Sequence, residues 1–180
     1  AGNVSVDGGT IKLDGNYPTG TDNVALGDTA LDDGSLSGAS NTAIGSKSLT
    51  ANTTGASNTA VGLATLFTNT TGSNNVAIGQ NALKLHTTSN TTAVGTSAMA
   101  ANTTGSENTA VGYLALTTNS TGSQNTAIGR EALEKYTAGG ATAVGFQALE
   151  ENTTGVSNTA VGYITFSSMT TGARNVGIGY

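Results

Sequence analysis

Residues 108–129 read NTAVGYLALTTNSTGSQNTAIG, and this stretch holds one complete repeat of the chain. The unit NTAVG at 108–112 returns as NTAIG at 125–129, so two closing glycines stand 17 residues apart. Because ten such markers bound nine coils of 16–18 residues, the sequence predicts an all-β, short-period parallel solenoid. The closing glycines are Gly27, Gly45, Gly62, Gly79, Gly95, Gly112, Gly129, Gly145, Gly162 and Gly179.

The columns of the repeat predict how each coil is built. A branched apolar residue precedes each closing glycine, as Val111 and Ile128 do, and a large apolar residue follows four places later, as Leu116 does. Small residues occupy the columns beside them. This period-2 alternation predicts a strand that ends in the NTAVG unit, a turn at the glycine, a second short strand, and a wide turn of the NTTG type.

A coil this short has a thin interior. Two strands in 17 residues enclose little more than one Val and one Leu per layer. One chain would therefore leave an Ala-lined or a Val-lined face in water, which predicts self-association around a symmetry axis. We expect Val111→Asp to disrupt assembly, because it would bury an unpartnered charge in a ladder.

The composition excludes several classes of protein. The chain has 180 residues, 26 Gly, no Cys and a formal net charge of −5. The acidic balance argues against a nucleic-acid partner, which needs a basic face. The absence of Cys rules out disulfides and thiolate metal sites. Since no apolar run approaches about 18 residues, we expect no membrane insertion by this segment.

Two coils are one residue shorter than their neighbours, and they end at Gly95 and Gly145. Both lose the Asn that opens the NTAVG unit, which predicts that this Asn braces the longer turn. In the same two coils His86 and Tyr136 replace the Asn of the wide turn. We expect His86 to be an exposed turn residue. The short coils recur 50 residues apart and close two related three-coil blocks, 46–95 and 96–145.

Aromatic residues follow several closing glycines near the end of the chain. Such a ladder could stack against sugars, which offer apolar faces to flat rings. The alternative is that the rings cover the corner of the coil or pack against a neighbouring chain. Together with the two residues that interrupt the wide-turn column, they are the candidate receptor contacts: His86, Tyr113, Tyr136, Phe146 and Tyr163.

No catalytic, cofactor or metal site is expected. Glu150 and Glu151 are neighbours on an outward turn and should point apart, whereas glycoside hydrolysis needs a carboxylate pair at a set separation. His86 is the chain's single histidine and has no evident partners for a triad or a metal. The carboxylates are therefore interpreted as solubilising charge.

The units at 108–129 and TAVGFQALEENTTG at 142–155 resemble repeats of bacteriophage tail-fibre proteins and of bacterial trimeric adhesins, including the heads of YadA-like autotransporters. The resemblance extends over about residues 23–180. It implies a left-handed β-roll, three chains in one fibre, and attachment to a host or surface, without a catalytic site. The coil here is longer than in the adhesin heads, and its NTTG turn is more typical of tail-fibre repeats.

Residues 23–180 therefore form the predicted repeat array, and residues 1–22 are expected to be an N-terminal cap or a docking β-hairpin. The expected function is attachment by an extracellular homotrimeric fibre, on a virion or a bacterial cell, with a host glycan or protein as receptor. Two alternatives remain open. One is an inert rigid spacer, and the other is an ice-binding solenoid whose flat Thr column orders water: Thr42, Thr59, Thr92, Thr109, Thr126, Thr142 and Thr159.

Overall fold

The structure is a computed structural model that describes residues 22–180, and there the chain is a parallel β-solenoid of about nine turns without helices. Accordingly, no helix in that range is long and apolar enough to cross a membrane. Ten three-residue strands form one sheet in chain order. They are β1 (Val24–Leu26), β2 (Thr42–Ile44), β3 (Thr59–Val61), β4 (Val76–Ile78), β5 (Thr92–Val94), β6 (Thr109–Val111), β7 (Thr126–Ile128), β8 (Thr142–Val144), β9 (Thr159–Val161) and β10 (Val176–Ile178).

The strands stack in strict register. Thr109 of β6 lies over Thr126 of β7, and the Ala and the branched residue that follow are paired in the same way. This confirms the predicted solenoid and its ladders of like residues. The left-handed sense of winding and the trimer stay predictions. The predicted N-terminal cap or hairpin at 1–22 lies almost wholly outside the described residues.

The predicted second strand is wrong, because the segment after each glycine is a turn. Leu114 and Leu116 have φ angles of +57° and +53°, in the left-handed region. Ala115 and Leu116 are adjacent yet both fully buried, whereas consecutive strand residues point to opposite faces. The column of Leu116 holds only Leu, Met and Phe, which suits a positive φ because branching at Cβ disfavours it strongly.

The strand buries its small residue and exposes its large one. Ala110 is fully buried, while 36% of Val111 is exposed. The apolar interior of a typical coil is therefore one Leu and two Ala. The expectation that the branched residue lies inside a single chain is therefore wrong. The sequence predicted that either an Ala-lined or a Val-lined face would be in water, and it is the Val-lined face.

The last coil shows why the inward strand residue must be small. There the large column holds Phe166 instead of Leu, and the opposite small column holds Gly177 instead of Ala. A Cβ at Gly177 would lie 2.5 Å from the Phe166 ring, too close for any real contact. The interior thus accepts Leu with Ala or Phe with Gly, and a Val in place of the Ala would overfill it.

The corner after each strand admits only glycine. Gly112 has a φ of +140°, and a Cβ there would lie 2.3 Å from the carbonyl oxygen of Gly129 in the next coil. Backbones of successive coils therefore touch directly at this corner, which explains why the closing glycine recurs without exception.

Buried asparagines tie the coils together. The side chain of Asn108 accepts a hydrogen bond from the backbone N–H of Asn125 (2.9 Å) and donates one to the Gly122 carbonyl of the next wide turn (2.8 Å). Asn125 in turn donates to Ala138 in a short coil (3.0 Å). This Asn does brace a wide turn, as predicted, but Asn108 and Asn125 brace the turn of the next coil, and a short turn is braced equally well.

We predict strong coupling between Phe166 and Gly177. Gly177→Ala alone should destabilise the chain by about 1–3 kcal/mol through overpacking, and Phe166→Leu alone should destabilise it by a similar amount through a cavity. The double variant restores the Leu and Ala of other coils and should regain most of the loss. Chemical denaturation of the four proteins measures the cycle, and additive losses would show that the two side chains do not share one space.

Candidate functional site

Variation between coils is concentrated on one surface. The first, second, fifth and sixth residues after each closing glycine differ from coil to coil, while the third and fourth are the buried small and large columns. We call the surface formed by these four columns the variable face. It carries most of the charged and aromatic residues of the array, so a site specific to this protein is best sought there.

One column of the variable face is a continuous stack of rings and one guanidinium. The Arg130 guanidinium lies 5.7 Å from the centre of the Tyr113 ring and 5.5 Å from that of Phe146, within cation–π range. Phe146 stacks on Tyr163 with ring centres 5.1 Å apart, and Tyr163 stacks on Tyr180 at 5.4 Å. The column therefore spans the last coils without a gap.

This stacking changes what the aromatic residues can do. The Tyr163 ring is stacked between Phe146 and Tyr180, so this half-exposed side chain presents mainly its ring edge to water. The Arg130 guanidinium lies over one face of Tyr113. Sugars pack best on ring faces, so the geometry favours the alternative in which the column covers the corner of the coil. Receptor contact by Tyr113, Phe146 and Tyr163 stays a prediction.

His86 and Tyr136 lie inside the solenoid. Both are fully buried, so the expectation of an exposed His86 is wrong and neither side chain can reach a receptor. The Tyr136 hydroxyl donates to the Gly139 carbonyl (2.9 Å), the same three-residue reach by which Asn69 donates to Gly72 in a longer coil (3.0 Å). The ring thus takes over the turn-bracing bond of the Asn that it replaces.

The two rings also interrupt the buried Asn ladder. His86 Nδ1 lies 2.7 Å from the Oδ1 of Asn102, yet the asparagines on either side of each ring keep one amide atom without a protein partner. An unsatisfied buried polar atom costs about 1–3 kcal/mol. Each short coil therefore introduces a local penalty, and this penalty falls on the asparagines of the longer coils on either side. The affected atoms are Asn69 Oδ1, Asn102 Nδ2, Asn119 Oδ1 and Asn152 Nδ2.

Carboxylates gather on the variable face after β7 and β8. Glu131, Glu134 and Glu150 each offer an oxygen within 4.8 Å of the others, the one such group among residues 22–180. Burial, and then the charges of Glu134 and Glu131, raise the pKa of Glu150. Glu131, the buried member of the cluster, already pairs with Arg130 and accepts a hydrogen bond from Gln147, so its carboxylate is partnered within the chain.

A groove on the variable face was missed at the sequence level. It lies around the coil that follows β3, has a volume of about 240 Å³, and is lined by Leu63 and Phe67 with Lys47 and Lys84 on either side. The signal was present, since Phe67 is the one aromatic residue of its column. Periodicity alone could not show that the neighbouring columns leave a depression there.

We predict that the buried His86 makes stability fall on mild acidification. Burial lowers the pKa of His86 from its usual 6.5, against the opposing effect of the bond with Asn102, so the unfolded chain takes up its proton first. Stability should be full above about pH 6.5 and decline below it. The double variant His86→Tyr with Thr91→Ala introduces the residues that the other short coil has at these two positions, and it should lose this decline between pH 7 and 5. Identical pH profiles of the melting temperature would contradict the assignment.

A comparison of the chain with family models, curated proteins and solved structures found no match. The likeness to fibre and adhesin repeats therefore rests on the repeat units themselves.

Proposed function

We propose that this chain is a segment of a homotrimeric fibre that attaches a virion or a bacterial cell to a host cell or surface. The observation that carries the proposal is the outward ladder of branched apolar residues. It runs without interruption from Leu26 in β1 to Ile178 in β10. Most of these residues are more than one-third exposed.

An exposed apolar ladder of this length needs another protein surface packed against it. Monomeric soluble proteins rarely expose contiguous apolar patches larger than a few hundred Å². Nothing within residues 22–180 packs over the outer face of the sheet, because the turns fold to its inner side. Identical ladders on identical chains meet in register around a rotation axis, which covers all copies equally.

The remaining features agree with an extracellular attachment role. The resemblance of the repeat units to tail-fibre and trimeric adhesin repeats supports three chains rather than two. The net charge of −5 disfavours nucleic acid as a partner. We propose a structural and adhesive role without catalysis, with a host glycan or protein as the receptor. In its simplest form the segment is a rigid spacer that positions another receptor-binding part.

We expect the parent protein to be a trimer, with three times the 17.6 kDa mass of one chain. Val111→Asp should prevent its assembly. A carboxylate in the outward ladder would be desolvated at the interface without a partner. Thr104→Asp, at an exposed wide-turn residue, is the charge-matched control and should remain a trimer. Light scattering coupled to gel filtration measures all three masses. A monomeric parent protein would contradict the proposal. A trimeric Val111→Asp variant would show that the interface lies elsewhere on the chain.

Ice binding is a second candidate for the same face. The Thr residues of β5 to β9 form an outward, partly exposed column beside the apolar ladder, in strict register. If this column binds ice, the protein should be monomeric and show thermal hysteresis, and Thr126→Lys should abolish the hysteresis while Thr104→Lys leaves it intact. Absence of hysteresis in the parent protein would remove this candidate.

A further inference from the structure

We propose that the groove beside Phe67 binds an acidic saccharide, with two lysines holding anionic groups and an apolar floor supporting a sugar ring. This inference rests on the proposed attachment function and names the chemistry of the receptor. The groove is lined by Lys47, Leu63, Ala64, Phe67, Asn81 and Lys84.

The floor of the groove is apolar and open. Leu63 is 45% exposed and Phe67 is partly exposed, and both lie in columns that are mostly polar or small in the neighbouring coils. The volume of about 240 Å³ is below the roughly 300–1,000 Å³ of sites that enclose a drug-sized ligand. A ligand would therefore place one ring in the groove and extend beyond it along the axis.

Within residues 22–180 the two lysines are free to bind anions. Arg130 and Lys135 form ion pairs with Glu131 and Glu151. Neither Lys47 nor Lys84 has an ion-pair partner among residues 22–180. They stand two coils apart, on either side of the floor, which places their backbones roughly 10 Å apart along the axis at about 4.8 Å per coil. That separation is close to the length of a disaccharide unit.

Charge along the variable face limits where an anionic ligand can lie. Asp28 and Asp32 precede the groove, and the glutamate cluster follows it after β7. The lysines are thus the positive part of a face that is otherwise acidic at both ends. A ligand with alternating sugar rings and negative groups matches this stretch, and the acidic ends would repel it elsewhere.

A peptide is a poorer occupant than a saccharide. The backbone N–H of Ala64 is bonded to the Ser46 carbonyl, and that of Asn81 to the Leu63 carbonyl, both at 2.9 Å. The backbone of this face is therefore already paired between coils, and no strand can be added to it. Recognition must come from side chains, and the groove supplies charge, an amide and an apolar floor, which together suit a charged sugar.

The test uses calorimetric titration of the full chain with three hexasaccharides of equal length: a uronic acid oligomer, a sulfated galactose oligomer and a neutral galactose oligomer. We expect at least one acidic oligomer to bind in a salt-dependent manner and the neutral one to bind at least tenfold more weakly, since a contact with a charged group is commonly worth that factor. Whichever acidic oligomer binds more tightly identifies the anionic group as carboxylate or sulfate.

Variants built from residues of other coils locate the site. Lys47→Ser with Lys84→Thr should weaken binding tenfold or more and flatten its salt dependence. Phe67→Thr should weaken binding and leave the salt dependence unchanged. Arg174→Ser, which removes an exposed charge away from the groove, is the control and should bind as the parent does. Because Ser97, Thr50 and Thr117 already occupy these columns, the variants should fold.

Three results would overturn the inference: no binding of either acidic oligomer, equal binding of the neutral oligomer, or an equal loss in Arg174→Ser. The same samples are measured by light scattering, which separates the two proposals. A trimer that binds no acidic oligomer refutes the groove and leaves the fibre standing. A monomer that binds one refutes the trimer alone, since the groove lies within a single chain.

Discussion

The contact between the backbones of successive coils governs the whole structure. Parallel strands lie about 4.8 Å apart, so wherever two turns cross directly there is no space for a Cβ, as at Gly112 above Gly129. The same spacing places each side chain directly on its counterpart in the next coil. Each column must therefore hold residues that can stack on like residues. Inside, the width between strand and turn admits one Leu opposite one Ala. The closing glycines, the alanines and the asparagine ladder follow from these limits.

The period, the parallel stacking and the identity of the ladders could be predicted from the sequence, because like residues recur at fixed intervals. The direction of the side chains could not. Alternation places Ala110 and Val111 on opposite faces, but only the interior width, visible in the Phe166–Gly177 exchange, decides which one points inward. The segment of Ala115 and Leu116 resembles a strand by composition, and its left-handed residues become evident only in the backbone geometry.

The same limit applies to the candidate site. His86 and Tyr136 stand out in the sequence as interruptions, and interruptions suggest recognition. Their column, however, is buried in every neighbouring coil, so a ring placed there fills the interior and leaves one atom of each adjacent amide without a partner. The aromatic residues after the glycines were correctly grouped in one column, but their mutual stacking depends on ring orientation. The groove arises because the side chains of neighbouring columns extend to different heights above the surface. The sequence pattern does not show these heights.

The concentration of sequence differences on the variable face has a consequence for how such a solenoid can diversify. The blocks 46–95 and 96–145 share their ladders, yet the positions of Lys47 and Lys84 in the first block hold Ser97 and Glu134 in the second. Copying three coils supplies a ready-folded scaffold, and later point changes in its four free columns can reverse the local charge without disturbing the stack. Descendants of one duplicated unit can thus present opposite charges at corresponding places on the same solenoid.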